Sequence, residues 1–189
     1  TGNGGSDTLT GGLGNDRFTF DPAASYSSGG FTTITDFGQG ADTLDLSLVL
    51  GTSENTTLSV VSGVADPAST DFVPLNTLTR DTVLVVDHAG VWPSAIPDQP
   101  TISSGSLSPR TVTDIVNLFA NVTFDEVPSR ASRHILFTTD IENGASVWLI
   151  ENFTGLDQIV TSEIQKIGQV DVSTGDLFTM LSTAATFAG

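Results

Sequence analysis

The chain has 189 residues, enough for one sizeable domain or two small ones, and its 22 acidic and six basic side chains give a net charge of −16. This charge argues against nucleic acid and anionic membranes as partners, because binding to either requires clustered lysine and arginine. The chain has no cysteine, so if it is secreted, a metal ion is expected to give the stabilisation that disulfides would otherwise give. It also has no run of about 18 apolar residues, so the sequence predicts no membrane span.

The N-terminal segment contains two consecutive nine-residue repeats. Residues 11–19 read GGLGNDRFT and match the pattern G-G-x-G-x-D-x-U-x, in which U is a large apolar residue, at every fixed position. Residues 2–10 match the same pattern with Asn3 in place of the second glycine. Two copies in tandem at a fixed period are a much stronger signal than one copy, and they predict a repeat architecture.

The residue types in these repeats favour a calcium site. Glycine permits backbone turns with positive φ that bring carbonyl oxygens together, and the aspartate at the sixth position adds a carboxylate. Hard cations with six to eight oxygen ligands, calcium above all, suit such a ring. Successive turns are expected to alternate sides, which places an ion between a loop and the loop two repeats away. The candidate ligands are the carboxylates of Asp7 and Asp16 and the loop carbonyls of Gly2, Gly4, Gly5, Gly11, Gly12, Leu13 and Gly14.

A flexible Gly/Asp linker without an ion is the alternative interpretation of this segment. It does not explain why Leu9 and Phe18 keep the same phase relative to Asp7 and Asp16. That phase is expected if both apolar side chains point inward from short strands.

These repeats resemble those of the RTX (repeats-in-toxin) family of bacterial calcium-binding proteins. A second segment, residues 34–47 (ITDFGQGADTLDLS), resembles the segment that closes the β-roll in serralysin-type proteases, family lipases and large adhesins. By this similarity Asp36, Asp42 and Asp45 are further candidate calcium ligands. The resemblance covers residues 1–47. It implies a short parallel β-roll and export by type I secretion machinery through an uncleaved C-terminal signal.

After the roll, the sequence predicts several further strands. Residues 57–61 and 81–86 are expected to be strands, the second buried on both faces because it is rich in β-branched residues. Residues 65–70 and the proline-rich residues 87–109 are expected to be loops. Residues 164–170 favour a further strand.

One helix and one hairpin stand out in the C-terminal part. Ser108 and Pro109 are suited to a helix start, and an apolar stripe at helical spacing extends the helix over about residues 109–120. We expect this apolar stripe to pack in the core of the domain. The less favoured alternative is that it binds in a groove of a partner protein. An Asn-Gly pair between apolar runs predicts a hairpin of residues 133–141 and 145–152, with Ile135, Phe137, Val147 and Trp148 as its expected buried positions.

The C-terminal residues fit two descriptions. Residues 174–181 are expected to form a short helical turn, and residues 177–189 carry no charged side chain. An uncharged terminus of small and apolar residues is typical of a type I secretion signal. A terminal strand packed on the domain is the alternative, and the two are compatible.

No catalytic constellation is visible in the sequence. The chain contains neither the H-E-x-x-H motif of zinc proteases nor the G-x-S-x-G elbow of lipases. Its two histidines, His88 and His134, have no motif around them that assigns them a catalytic role. We therefore expect no enzymatic activity in this chain. The chain begins without Met and inside a repeat, so we expect it to be part of a longer protein.

Together these features predict an all-β protein with a short calcium β-roll at residues 1–47, followed at residues 48–189 by a β-sandwich-like region with one packed helix. The expected function is calcium-dependent folding, secretion and structural support at the C-terminus of a secreted or cell-surface bacterial protein, such as a surface-layer protein or an adhesin. The alternative is the non-catalytic C-terminal domain of an exported RTX protease or lipase. Calcium-ordered self-assembly on the cell surface is a further possibility.

Overall fold

The computed structural model describes residues 1–2, 5–21, 30–50, 59–63, 77–78, 82–86, 111–119, 123–124, 132–139, 144–152, 159–172, 177–181 and 187–188. Within them most of the secondary structure is β-strand and little is helix. The prediction of an all-β protein is therefore confirmed in its broad form.

The described strands are β1 (Thr8–Leu9), β2 (Arg17–Thr19), β3 (Thr32–Phe37), β4 (Thr43–Asp45), β5 (Ser59–Gly63), β6 (Thr77–Leu78), β7 (Thr82–Val86), β8 (Thr123–Phe124), β9 (Ser132–Thr139), β10 (Gly144–Asn152), β11 (Ile164–Val172) and β12 (Phe187–Ala188). The helices are α1 (Ser47–Leu50), α2 (Val112–Leu118) and α3 (Leu177–Leu181), and a 3₁₀ turn spans Thr161–Glu163.

Most of these strands belong to one large mixed sheet, which we call sheet A. Its strand order is β1-β3-β11-β10-β9-β7-β5. The pairs β11–β10 and β10–β9 are antiparallel, and the other pairs in the sheet are parallel. A second sheet, sheet B, has the order β12-β4-β2 and is entirely parallel, and β6 pairs with β8 separately. Because sheet A is mixed, the finer prediction of a parallel β-roll followed by a sandwich is not confirmed.

Three times along the chain, a strand of sheet A is followed by a strand of sheet B. In the pairs β1/β2, β3/β4 and β11/β12, the first strand lies in sheet A and the second lies in sheet B. The first two pairs come from the N-terminal repeat region, and the third comes from the C-terminal end of the chain. Strands from both sides of the predicted boundary at residue 47 thus share both sheets, and that boundary itself stays a prediction.

The main core lies between sheets A and B. In sheet B, Phe18 and Phe187 flank Leu44 in register on neighbouring strands. In sheet A, Leu9 and Val170 flank Ile34 in the same way. All six belong to or pack against one hydrophobic cluster, which α1 and α3 extend with Val49, Leu50, Leu177 and Leu181. The in-phase positions Leu9 and Phe18 therefore face the interior, as the repeat pattern predicts.

A second core covers the opposite face of the central strands. Ile115 of helix α2 and Phe119, the residue directly after this helix, pack with Leu136 of β9 and Trp148 of β10. The indole Nε1 of Trp148 donates a hydrogen bond to the hydroxyl of Thr138 at 3.1 Å, which satisfies its buried polar atom. The central strands of sheet A are thus buried on both faces, and the helical stripe is used in core packing.

Several local predictions are confirmed with shifted boundaries. The hairpin β9–β10 is antiparallel, and its four predicted core positions, Ile135, Phe137, Val147 and Trp148, are at most 4% exposed. Strand β7 contributes Leu84 to one core and Val83 and Val85 to the other, so it is buried on both faces. The predicted loops at residues 65–70 and 87–109, and the predicted helix start at Ser108 and Pro109, lie outside the described residues.

Candidate metal centre

The loops of the two repeats lie beside later segments that carry the second resembling motif. The backbone N–H of Thr33 donates to the carbonyl oxygen of Asp7 at 2.8 Å, and the N–H of Thr43 donates to that of Asp16, also at 2.8 Å. The two repeat aspartates thus occupy equivalent positions, each followed by a strand that pairs in parallel with a strand 25 or 26 residues later. The chain therefore returns to each loop after two strands.

The side chains of Asp7 and Asp16 each contain one carboxylate oxygen with an unusual environment. The Oδ2 atoms of both residues are buried, and neither accepts a hydrogen bond within the described part of the chain. A buried carboxylate oxygen without a donor or a cation loses its hydration and gains nothing in return, so such atoms are rare in folded proteins. Two such oxygens occur at the same position of two successive repeats, where a cation would be a suitable partner.

Glycines at the first position of each repeat make room for these carboxylates. A Cβ atom on Gly2 would lie 2.7 Å from Oδ2 of Asp7, and a Cβ atom on Gly11 would lie 2.7 Å from Oδ2 of Asp16. Real Cβ atoms do not approach that closely, so in both repeats the carboxylate folds back over a glycine. The first glycine of the pattern is therefore explained by space for the aspartate.

The loop of residues 11–16 also depends on glycine for its backbone shape. Gly12 and Gly14 have φ values of +86° and +132°, which other residues rarely adopt. Gly40, in the neighbouring turn, has a different reason to be glycine, because a Cβ atom there would coincide with the carbonyl oxygen of Gly14. The two segments can stack this closely only without a side chain at that position.

The structure gives the aspartates of the second motif hydrogen-bond donors. Asp36 accepts the backbone N–H of Gly11 at 3.0 Å on Oδ1 and that of Gly12 at 2.7 Å on Oδ2. Asp42 accepts the N–H of Asp16 at 2.9 Å on Oδ1 and that of Gly38 at 2.8 Å on Oδ2. Both carboxylates are buried, and each of their four oxygens already has one donor.

Asp45 is held in place by side chains and by the start of α1. Its Oδ2 accepts hydrogen bonds from Arg17, at 2.9 Å from Nη2, and from the hydroxyl of Thr19, while its Oδ1 accepts the N–H and hydroxyl of Ser47. Burial raises the pKa of the Asp45 carboxyl, but the hydrogen bonds from Ser47 and the Arg17 guanidinium lower it by more. The net pKa therefore lies below its usual value, and the carboxylate is charged at neutral pH.

The remaining predicted ligands are the loop carbonyls. Leu13 is 90% exposed at the tip of its loop, and Gly4 lies outside the described residues. In the described part of the chain, no group of three or more His, Cys, Asp or Glu side chains is placed to hold a metal ion. The predicted site does not require such a group, since it combines one aspartate per repeat with backbone oxygens. The assignment of these ligands stays a prediction.

Of the two histidines, only His134 lies within the described residues. It occupies β9, its side chain is 0% exposed, and burial lowers its pKa to about 4. Its even-numbered neighbours in the strand, Leu136 and Thr138, are also buried. Its imidazole is therefore neutral at pH 7.

Comparisons with protein-family models, with curated proteins and with solved structures gave no match. Among the described helices, none has the length and apolar character needed to cross a membrane.

Proposed function

We propose that this chain is a calcium-dependent folding module of a secreted or cell-surface bacterial protein, such as a surface-layer protein or an adhesin. In this proposal, residues 1–47 form a short β-roll, and Asp7 and Asp16 hold calcium together with loop carbonyls. The observation that carries the proposal is the pair of buried, donorless Oδ2 atoms at equivalent positions of two successive repeats. The resemblance of the repeats to RTX proteins supports the same assignment.

The charge distribution supports a cation at this site. Residues 1–47 contain six aspartates and a single basic side chain, Arg17, which is paired with Asp45. Folding brings several of these carboxylates into two stacks of loops, where their mutual repulsion opposes the compact state. Calcium, when bound, supplies two positive charges and a preference for carboxylate and carbonyl oxygens. The Oδ2 atoms of Asp7 and Asp16 then gain the partner that the described part of the chain does not give them.

The coupling of binding to folding suits an exported chain. Sites with dissociation constants of roughly 10⁻⁴ to 10⁻³ M stay empty in the cytosol and fill at extracellular calcium concentrations. Without the ion, the acidic loops favour an unfolded chain that type I secretion machinery can pass, and outside the cell the binding free energy contributes to folding. The uncharged C-terminal residues are proposed to carry the secretion signal.

Equilibrium dialysis against calcium, combined with single carboxylate substitutions, tests the proposed site. Asp7→Asn and Asp16→Asn are each expected to lower the number of bound calcium ions or to weaken binding by 100-fold or more, because a charged ligand is replaced by a neutral one. Asp171→Asn is the matched control: Asp171 lies on β11, where it accepts a hydrogen bond from Gln169. It is expected to leave calcium binding unchanged.

Two results would count against the proposal. One is a wild-type chain that binds no calcium at millimolar concentration. The other is equal weakening by Asp171→Asn and Asp16→Asn, which would point to a general effect of net charge rather than to a site.

A further inference from the structure

Two of the aspartates that the family resemblance offers as ligands are directed at backbone amides of the neighbouring repeat loop. Asp36 takes one N–H on each oxygen, from the consecutive residues Gly11 and Gly12, at 3.0 and 2.7 Å. Consecutive N–H groups that converge on one anion are a recognised anion-binding arrangement of the backbone. The carboxylate of Asp36 is therefore bound by the loop at the point where the second repeat begins.

Two hydrogen bonds connect the other end of the same loop to residues 41 and 42. Asp42 accepts the N–H of Asp16 at 2.9 Å, and the side-chain oxygen of Asn15 accepts the N–H of Ala41 at 3.0 Å. The contacts of Asp36 and Asp42 connect residues that are 24 to 26 positions apart in sequence. Together they fix the first, second and sixth positions of the repeat that contains Asp16.

This arrangement separates two roles among the aspartates. Among the described residues, Oδ2 of Asp16 has no donor. By contrast, Asp36 takes both of its donors, and Asp42 one of its two, from the loop to which Asp16 belongs. The loop contains Gly12 and Gly14 with positive φ, and glycine-rich loops lose much conformational entropy when they are ordered. Anchoring both of its ends with charged acceptors reduces the disorder that calcium binding has to overcome.

We propose that Asp36 and Asp42 are positioning residues that hold the loop of residues 11–16 in its calcium-binding shape without being calcium ligands themselves. This inference rests on the proposed function, since it concerns the calcium site of the second repeat. Asp36 and Asp42 are needed, in this view, because they accept hydrogen bonds from the backbone amides of Gly11, Gly12 and Asp16.

Calcium titration with a count of bound ions distinguishes positioning from ligation. Asp36→Asn is expected to raise the dissociation constant about 10- to 100-fold, as is typical for residues that orient a metal ligand, while the number of ions at saturation stays at the wild-type value. Asp36→Ala is expected to raise it further, because asparagine keeps one acceptor and alanine keeps none. Asp16→Asn serves as the ligand reference and Asp171→Asn as the charge control.

The results that would overturn the inference are specific. If Asp36→Asn loses an ion at saturation as Asp16→Asn does, Asp36 is a ligand. If Asp36→Ala binds calcium with wild-type affinity, the contacts to Gly11 and Gly12 do not position the loop. A wild-type chain that binds no calcium would instead remove the proposed function on which the inference rests.

A measurement on the wild-type protein covers the case in which the variants do not fold. In the calcium-saturated chain, the amide protons of Gly11 and Gly12 are expected to exchange with solvent at least tenfold more slowly than that of Leu13, at the exposed tip of the same loop. Equal exchange rates at these three positions would show that Asp36 does not hold the two amides, and the inference would then be wrong.

Discussion

Replacing Phe187 by alanine is expected to lower the free energy of unfolding of the calcium-saturated protein by about 3 kcal/mol, the low end of the range for a buried phenylalanine. Phe187 lies in β12 at the C-terminal end of the chain and is 7% exposed. Its ring lies 5.5 Å from that of Phe137, and it pairs with Leu44 of the N-terminal repeat region. The C-terminal strand is thus part of the main core. Urea unfolding measures the effect.

Leu48→Ala is the matched control for this substitution. Leu48 is also a large apolar residue and follows β4 closely in sequence, but it is 52% exposed, and its replacement is expected to change stability by about 0.5 kcal/mol or less. If Phe187→Ala is as mild as Leu48→Ala, β12 does not dock on β4, and the third strand pair does not contribute to the core.

Lowering the pH from 7 to 5 at saturating calcium is expected to lower the free energy of unfolding by about 2 kcal/mol through His134 alone. In the unfolded chain this imidazole takes up a proton near pH 6.5, whereas in the folded chain burial delays protonation to about pH 4. Between these values the unfolded state binds more protons, so the loss begins as the pH falls below 6.5 and is complete near pH 4. Urea unfolding at several pH values measures it.

His134→Gln should remove this part of the pH dependence, whatever it does to stability at pH 7. The comparison variant is His88→Gln, which changes the only other histidine of the chain and is expected to keep the slope between pH 7 and 5. If His134→Gln keeps the wild-type slope, the imidazole of His134 is not held neutral by burial.

Local patterns in the sequence predicted several elements of the fold well. The Asn-Gly turn and its apolar flanks predicted β9 and β10, because a hairpin is fixed by residues that are close in sequence. The nine-residue period placed Phe18 in the core and Leu9 against it, and it singled out Asp7 and Asp16. In each case the information lies within about 20 residues of chain.

The sequence did not reveal how the C-terminal end completes the two sheets. Strand β11 pairs with β3, and β12 pairs with β4, across more than 125 residues of chain. Nothing local in Phe187 or Ala188 indicates a parallel partner, since a two-residue strand carries no periodicity of its own. The uncharged C-terminal residues were compatible with a type I secretion signal and with a terminal strand packed on the domain, and the sequence did not decide between the two.

The roles of the aspartates could likewise be predicted only in part from the sequence. The spacing of Asp36, Asp42 and Asp45 identified them as a group of interest, but the family resemblance alone could not tell a metal ligand from an acceptor of backbone amides. That distinction depends on which groups face each carboxylate after the chain returns to the first loop. For Asp45 the partners are Arg17, Thr19 and Ser47, two of which lie more than 25 residues away in sequence.

The most direct test of the calcium switch is far-UV circular dichroism during a calcium titration, with magnesium as the control ion, on the wild type and on Asp16→Ala. We expect β-sheet signal to develop with calcium and not with magnesium, and we expect Asp16→Ala to require about 100-fold more calcium at the midpoint, as Asp16→Asn does for binding. If the calcium-free chain already has its full β-sheet signal and EDTA changes nothing, the repeats are a structural element without a calcium switch. The proposed function would then be wrong.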